Sequence, residues 1–171
     1  MNYNPSTIAR IADIYSGIRV DTGSLTAATY FVLDTQTELF DVKGRVYISQ
    51  LMMEVTAAFD ANATQMLFNC TFTTPVLVAN PMCAKCASLA SAAQGLRVVW
   101  VGGAVATAAV ITDSAGLSDV IPSKGHIVGG KNFVGTIGML ASDATQAATG
   151  AAFASIFYVP MSDGAYIAAK L

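Results

Sequence analysis

Charged residues are scarce in this chain of 171 residues, at 12% against 54% hydrophobic residues, about half the charged share usual in soluble domains. A chain this apolar is not disordered. It also has few charges with which to keep an isolated surface in solution, which points to burial of part of that surface against other subunits. The nine Lys and Arg are scattered from Arg10 to Lys170 and are outnumbered by eleven Asp and Glu. No basic stripe exists to track phosphates, so a nucleic-acid partner is not expected. The closest basic pair, Lys43 and Arg45, reads as the solvated end of a strand.

Cysteine, histidine and glutamate are equally sparse. The three cysteines, Cys70, Cys83 and Cys86, cannot all pair within one chain and are too few to frame a secreted domain, so a reducing compartment is the simpler setting. His126 is the single histidine and has to serve any histidine-dependent mechanism. Asp119 and Ser123 lie near it in sequence, but a triad is defined by spatial geometry, which this spacing does not secure. Glu38 and Glu54 are the only glutamates. The aspartates mostly hold turn positions, such as Asp34, Asp60, Asp113, Asp143 and Asp163, and no motif frames a pair of catalytic acids. The opening MNYNPSTIAR has no apolar run behind a basic start, so a secretory leader is not expected. The uncharged window 98–112 is short and rich in Gly and Ala, and the window 144–162 is interrupted by Gln146, Gly150 and Pro160. Neither reads as a transmembrane helix. These absences predict a protein that is not an enzyme, needs no cofactor and has no membrane partner.

What is present is a succession of short β-like segments. Residues 7–16 set Ile8, Ile11, Ile14 and Tyr15 at helical spacing, with Ser6 as cap and Gly17 as stop. From Ala28 the period changes, with ATYFVLDT as a first extended run and a second beginning near Glu38. Between Arg45 and Phe59, Leu51, Met53, Val55 and Phe59 alternate with Met52, Glu54 and Thr56, and after Asp60 to Ala63 the alternation resumes with Met66, Phe68, Cys70 and Phe72. The two segments read as an antiparallel hairpin. Pro75 to Ala79 reads as a short strand, and Asn80-Pro81 as a cap followed by proline at a first helical position, which predicts a short helix near residues 81–94. Further strands are expected at Leu96–Val101, Ala104–Thr112, Leu117–Ile121, His126–Val128, Asn132–Leu140 and Ala152–Val159. The pattern predicts a mainly β protein, an antiparallel β-sandwich or jelly-roll. Residues 1–27 are expected to form an N-terminal arm or short helix, and residues 28–171 a single β-sandwich domain.

Two local motifs carry chemistry elsewhere. Cys83-Ala84-Lys85-Cys86 is a CxxC at the start of the predicted helix, a placement that lowers thiol pKa and presents two ligands to zinc. Zinc needs two more ligands, and the remaining candidates are Cys70 and His126. Packing of Cys83 and Cys86 as small buried side chains is the preferred reading, with a small redox or zinc-binding domain as the alternative function. Gly125 to Lys131 has glycine and lysine spacing like a phosphate-binding loop, but Asn132 stands where Ser or Thr should reach magnesium, and NFVGTIGML follows as a strand. A glycine-rich turn between strands explains it. A carbohydrate- or peptide-binding sandwich is a third possibility. It needs exposed aromatics, and Trp100, within Arg97 to Val101, reads as a buried strand position.

The segment Val134-Gly135-Thr136-Ile137-Gly138-Met139-Leu140 and the run Phe157-Tyr158-Val159-Pro160-Met161-Ser162-Asp163-Gly164-Ala165-Tyr166 resemble stretches of small structural proteins of tailed-bacteriophage virions. The shared pattern is an aromatic strand, a proline, a Ser-Asp-Gly turn and a short hydrophobic tail, over about a quarter of the chain. The resemblance implies a sandwich or jelly-roll subunit that decorates or cements a capsid, commonly as a trimer, with no catalytic residues to carry over. Its partners are then further copies of itself and the major capsid or another virion protein, and it belongs to the virion, assembled in the bacterial host cytoplasm. Many modest apolar contacts multiplied by lattice symmetry suffice for such binding.

Overall fold

The computed structural model describes residues 17–74, 80–100, 102, 107–112, 125–130, 132–142 and 145–171. In chain order the strands are β1 (Ile18–Asp21), β2 (Leu25–Thr26), β3 (Gln36–Lys43), β4 (Val46–Ala57), β5 (Gln65–Thr74), β6 (Asn80–Pro81), β7 (Arg97–Trp100), β8 (Val110–Thr112), β9 (His126–Val128), β10 (Val134–Ser142), β11 (Ala151–Pro160) and β12 (Tyr166–Ala169), with one turn of helix, α1 (Ala27–Tyr30), after β2. The protein is mainly β, in two antiparallel sheets. Among the described residues, seven strands form the larger sheet, ordered β1-β11-β4-β7-β8, with β2 also on β11 and β9 also on β4. The other five form the smaller sheet, ordered β12-β3-β10-β5-β6.

The core joins the inward rows of both sheets. Val46, Ile48, Leu51, Met53 and Val55 of β4 share one buried cluster with Ala152, Ala154, Ile156 and Tyr158 of β11, Met66, Phe68 and Cys70 of β5, and Ile137, Met139 and Ala141 of β10. Each large member contributes roughly 1.5–3 kcal/mol relative to an exposed position. The β4 row changes parity between Ile48 and Leu51, which a regular strand cannot do without turning residues outward. A bulge absorbs the change: Tyr158 lies opposite Ile48 and Phe157 opposite Gln50, leaving Ser49 without an opposite number. Leu39 of β3 is similarly set between Phe40, opposite Ile137, and Glu38, opposite Gly138. Both Leu39 and Phe40 are thereby buried.

Several expectations are corrected. β4 and β5 do not form a hairpin: β4 pairs with β11, β7 and β9, and β5 with β10 and β6, in opposite sheets. Their alternation is real, but it aims two apolar rows at each other across the core rather than along one surface. The helix expected near 81–94 is absent. Asn80 and Pro81 pair with Cys70 and Asn69, and the amides of Met82, Cys86 and Leu89 donate to the carbonyls of Phe68, Met66 and Thr64 at 2.7–2.8 Å. Backbone donors that reach β5 are not available to an α-helix. The buried positions Cys83, Cys86, Leu89 and Ala92 recur every third residue, a spacing easily mistaken for one helical face.

The extended run expected at ATYFVLDT instead holds α1, where the Phe31 amide donates to Ala27 O at 3.0 Å. It leads Phe31 into the core, edge-on to Phe59 at 5.0 Å. Within the span 1–27, β1 and β2 pair with β11. The expected segments at 7–16, 75–79 and 117–121 lie outside the described residues.

Connections between strands of different sheets gather at two ends of the body. At one, Asp60 ties the loop after β4 to the loop before β11. Its carboxylate accepts from the amides of Asn62, Ala148 and Thr149 at 3.0, 2.7 and 3.1 Å. These bonds, the Asn62 amide foremost and then that of Ala148, hold its ionisation below the ordinary 3.8. The stabilisation is therefore complete above the unfolded value and drains as pH falls through the lower folded value. Asp60→Asn is expected to remove this dependence. Urea midpoints taken from neutral pH to about pH 3 should converge for wild type and variant as pH falls, and parallel curves would refute the role. Next to this loop, a Cβ on Gly150, at φ +112°, meets Phe59 Cδ1 at 2.1 Å, whereas one on Gly164, at φ +69°, meets nothing within 4 Å. Gly150→Ala is expected to cost roughly 3 kcal/mol and Gly164→Ala about 1 kcal/mol in urea unfolding.

Candidate functional site

At the opposite end, three connections converge. The β3 to β4 turn, at Gly44 and Arg45, donates its Gly44 amide to Phe133 O at 2.8 Å. The Met161 amide, just after β11, donates to Arg45 O at 2.8 Å, and the Ala165 amide closes a turn onto Ser162 O at 3.1 Å. The Arg45 amide donates to Ser162 Oγ at 3.1 Å. Gly44 has φ +76° and a Cβ there would lie 2.8 Å from Ala165 Cβ, so only glycine lets the two turns meet this closely. Between them opens a cleft of about 470 Å³ lined by Lys43, Arg45, Asn132, Ser162 and Asp163 together with two glycines.

Large apolar side chains frame this end. Six are exposed among the described residues. Four of these belong here: Val134 and Tyr166 both lie opposite Lys43, Met161 follows β11, and Ile127 lies opposite Tyr47. Since Val42, Val46 and Ile48 point into the core, Val134 and Tyr166 stand on the outer side of one sheet and Ile127 on the outer side of the other. Lys43 and Arg45 lie exposed between them. Three cations elsewhere are matched: Arg19 to Asp21 at 2.8 Å, Arg97 to Glu54 at 2.8 Å, and Lys170 to Glu38 at 2.6 Å. Lys43 and Arg45 have no ion-pair partner among the described residues. The arrangement offers apolar area and two uncommitted cations to a macromolecular surface.

The sequence-selected residues lie elsewhere. Cys83 and Cys86 sit buried in the segment that runs beside β5, and their sulfurs accept from the amides of Phe68 and Met66 at 3.3 and 3.4 Å. They satisfy edge donors of a strand that the neighbouring segment pairs only intermittently. Burial pushes the Cys86 thiol up to about 11 and Cys70, in the core, to about 12, and raises Cys83 as well. A raised pKa leaves little thiolate for nucleophilic attack at neutral pH. Among the described residues, no group of three or more His, Cys, Asp or Glu side chains is placed to hold a metal ion.

His126 lies on β9, edge-on to Trp100 at 5.6 Å, and Asp119 and Ser123 lie outside the described residues. Trp100 is buried and donates its indole N–H to Met82 O at 3.0 Å, so it offers no exposed platform. Gly125 precedes β9, where a Cβ would run into the Tyr47 side chain, and Gly129 and Gly130 follow β9 toward the turn before β10, where a Cβ on Gly129 would run into Gly44 O. Gly129 thereby serves close backbone packing against the β3 to β4 turn, and Gly130 makes room for the Phe133 ring. Glu38 accepts from Thr136 Oγ1 at 3.3 Å and pairs with Lys170. Glu54 and Glu38 lie in opposite sheets. No helix of the described residues is long and apolar enough to cross a membrane.

No family model, curated protein or solved structure matches this chain. The apolar frame was not singled out as surface by the sequence, where Ile127 and Val134 fall in expected strands and Met161 and Tyr166 in the turn and tail that follow Pro160. Their one sequence signal is position, each within three residues of a glycine. The thiol geometry makes a direct prediction. Iodoacetamide at about pH 8 is expected to modify Cys83 and Cys86 only as fast as the protein unfolds. Rapid stoichiometric labelling of the native protein would refute their role as buried acceptors. Replacing either by Ala is expected to cost roughly 1–3 kcal/mol, because a buried amide loses its partner.

Proposed function

We propose that this protein is a structural subunit of a tailed-bacteriophage virion, a β-sandwich of jelly-roll type that decorates or cements the head lattice. It acts by contact: with further copies of itself and with the major capsid or another virion protein, in particles assembled in the host cytoplasm. The observation that carries the reading is the end of the body where Ile127, Val134, Met161 and Tyr166 stand exposed around Lys43 and Arg45. Apolar side chains of this size, set at the tips of packed strands and mixed with cations that have no ion-pair partner among the described residues, make a rigid contact surface. Further support comes from the low overall charge and from the resemblance of β10 and of the β11 to β12 run to virion proteins of this kind. The redox or zinc reading of Cys83 and Cys86 gains no comparable support, since both thiols face the core and bond to β5.

The test is the solution mass of the purified protein by light scattering after size exclusion, with and without reductant and chelator. An oligomer whose mass neither reagent changes is expected. A monomer, or a mass that shifts with either reagent, would overturn the reading.

A further inference from the structure

The two ends of the body are chemically opposite. The first holds Lys43 and Arg45 against Asp163, a surplus of one positive charge among its described residues (two minus one). The second is built from the segments 27–35, 58–64 and 145–150, which contain Asp34 and Asp60 and no Lys or Arg. Asp34 is exposed, at φ +54°, and its carboxylate has no partner among the described residues. Asp60 is kept ionised by the amides it accepts from. Apart from Asp34, the exposed side chains of these segments are all alanine or threonine. Register places the ends apart, because β4 runs from the first to the second, Val46 to Ala57, and β11 runs back beside it, Ala151 to Pro160.

We propose that copies of this protein associate head to tail, the Lys43 and Arg45 end of one copy seating on the Asp34 and Asp60 end of the next. The inference deepens the structural-subunit reading and rests on its premise of self-association. Cations meet carboxylates, and the large side chains that frame one end have a surface of small alanine and threonine side chains to close against. Ionic contacts at the centre set orientation, and apolar contact at the rim supplies area. Because the two surfaces differ, the contact is heterologous and generates a polar series of subunits rather than a two-fold dimer.

Charge exchange tests it. One variant carries Lys43→Glu and Arg45→Glu, and another carries Asp34→Asn and Ala148→Lys. All four positions are exposed, and Asn tolerates the positive φ at position 34. Sedimentation of wild type is expected to show mass rising with protein concentration and falling in high salt. Each variant alone should associate at least tenfold more weakly, with an unchanged urea midpoint showing that it is folded. An equimolar mixture of the two should regain association, since each supplies the end that the other needs. Variants that associate as well as wild type, or a mixture that stays dissociated, would overturn the proposal. In the first case the wild-type oligomer is untouched by charge reversal and the structural-subunit reading stands, whereas failure of that reading leaves no oligomer to test.

Discussion

A strand buries one face only while its side chains keep a two-residue alternation, and β4 sustains this over its length because Ser49 is bulged out of register with β11. Without that extra residue, either Val46 and Ile48 or Leu51, Met53 and Val55 face solvent. Everything else is arranged around the row so preserved. β11 and β7 flank it in its own sheet, β5 and β10 supply the opposing row, and the turns at either end are set by where those strands stop. The bulge at Leu39 does the same service in the smaller sheet.

The second constraint is the backbone of β5. Its outer edge meets β6 for only two residues, and beyond that the chain runs alongside as an irregular segment. The amides of Met82, Cys86 and Leu89 reach carbonyls of β5 and of Thr64 just before it, while the sulfurs of Cys83 and Cys86 take the amides that no carbonyl reaches. Thiols are weak acceptors, but a weak partner in a dry site outweighs none. The edge so covered is closed to pairing with a stray strand from another molecule. The open chemistry is thereby confined to the ends, where Asp60 gathers loops on one side and the Gly44 turn gathers them on the other.

Much of the strand content was legible in the sequence, because alternation is a local signal. Val46 to Ala57 and Met66 to Phe72 alternate in the residues themselves, and β9, β10 and β11 fall within one or two residues of the expected bounds. Sheet membership was not legible. Nothing local distinguishes two strands facing each other across a core from two strands paired in a hairpin, so β4 and β5 read as neighbours. The segment after Asn80 misled for a different reason: Cys83, Cys86 and Leu89 repeat every third residue, and Pro81 follows a capping residue, yet the amides answer to β5. At the candidate site, Lys43 and Arg45 were legible as a strand end. Their apolar surroundings come from Ile127, Val134, Met161 and Tyr166, which only the pairing brings together.

The wiring of the sheets also dictates when the chain can fold. β1 waits for β11, β3 for β10 and β12, and β4 has no partner before β7. A ribosome therefore emits β1, β3 and β4 well before the residues that pair them, and the apolar rows of β3 and β4 spend that interval unsatisfied. Closure of such distant contacts is slow, and the waiting strands are exposed to capture by one another or by neighbouring nascent chains. Translation speed and chaperone occupancy over the stretch from β5 to β10 thus set the yield of native protein, whatever the finished subunit goes on to build.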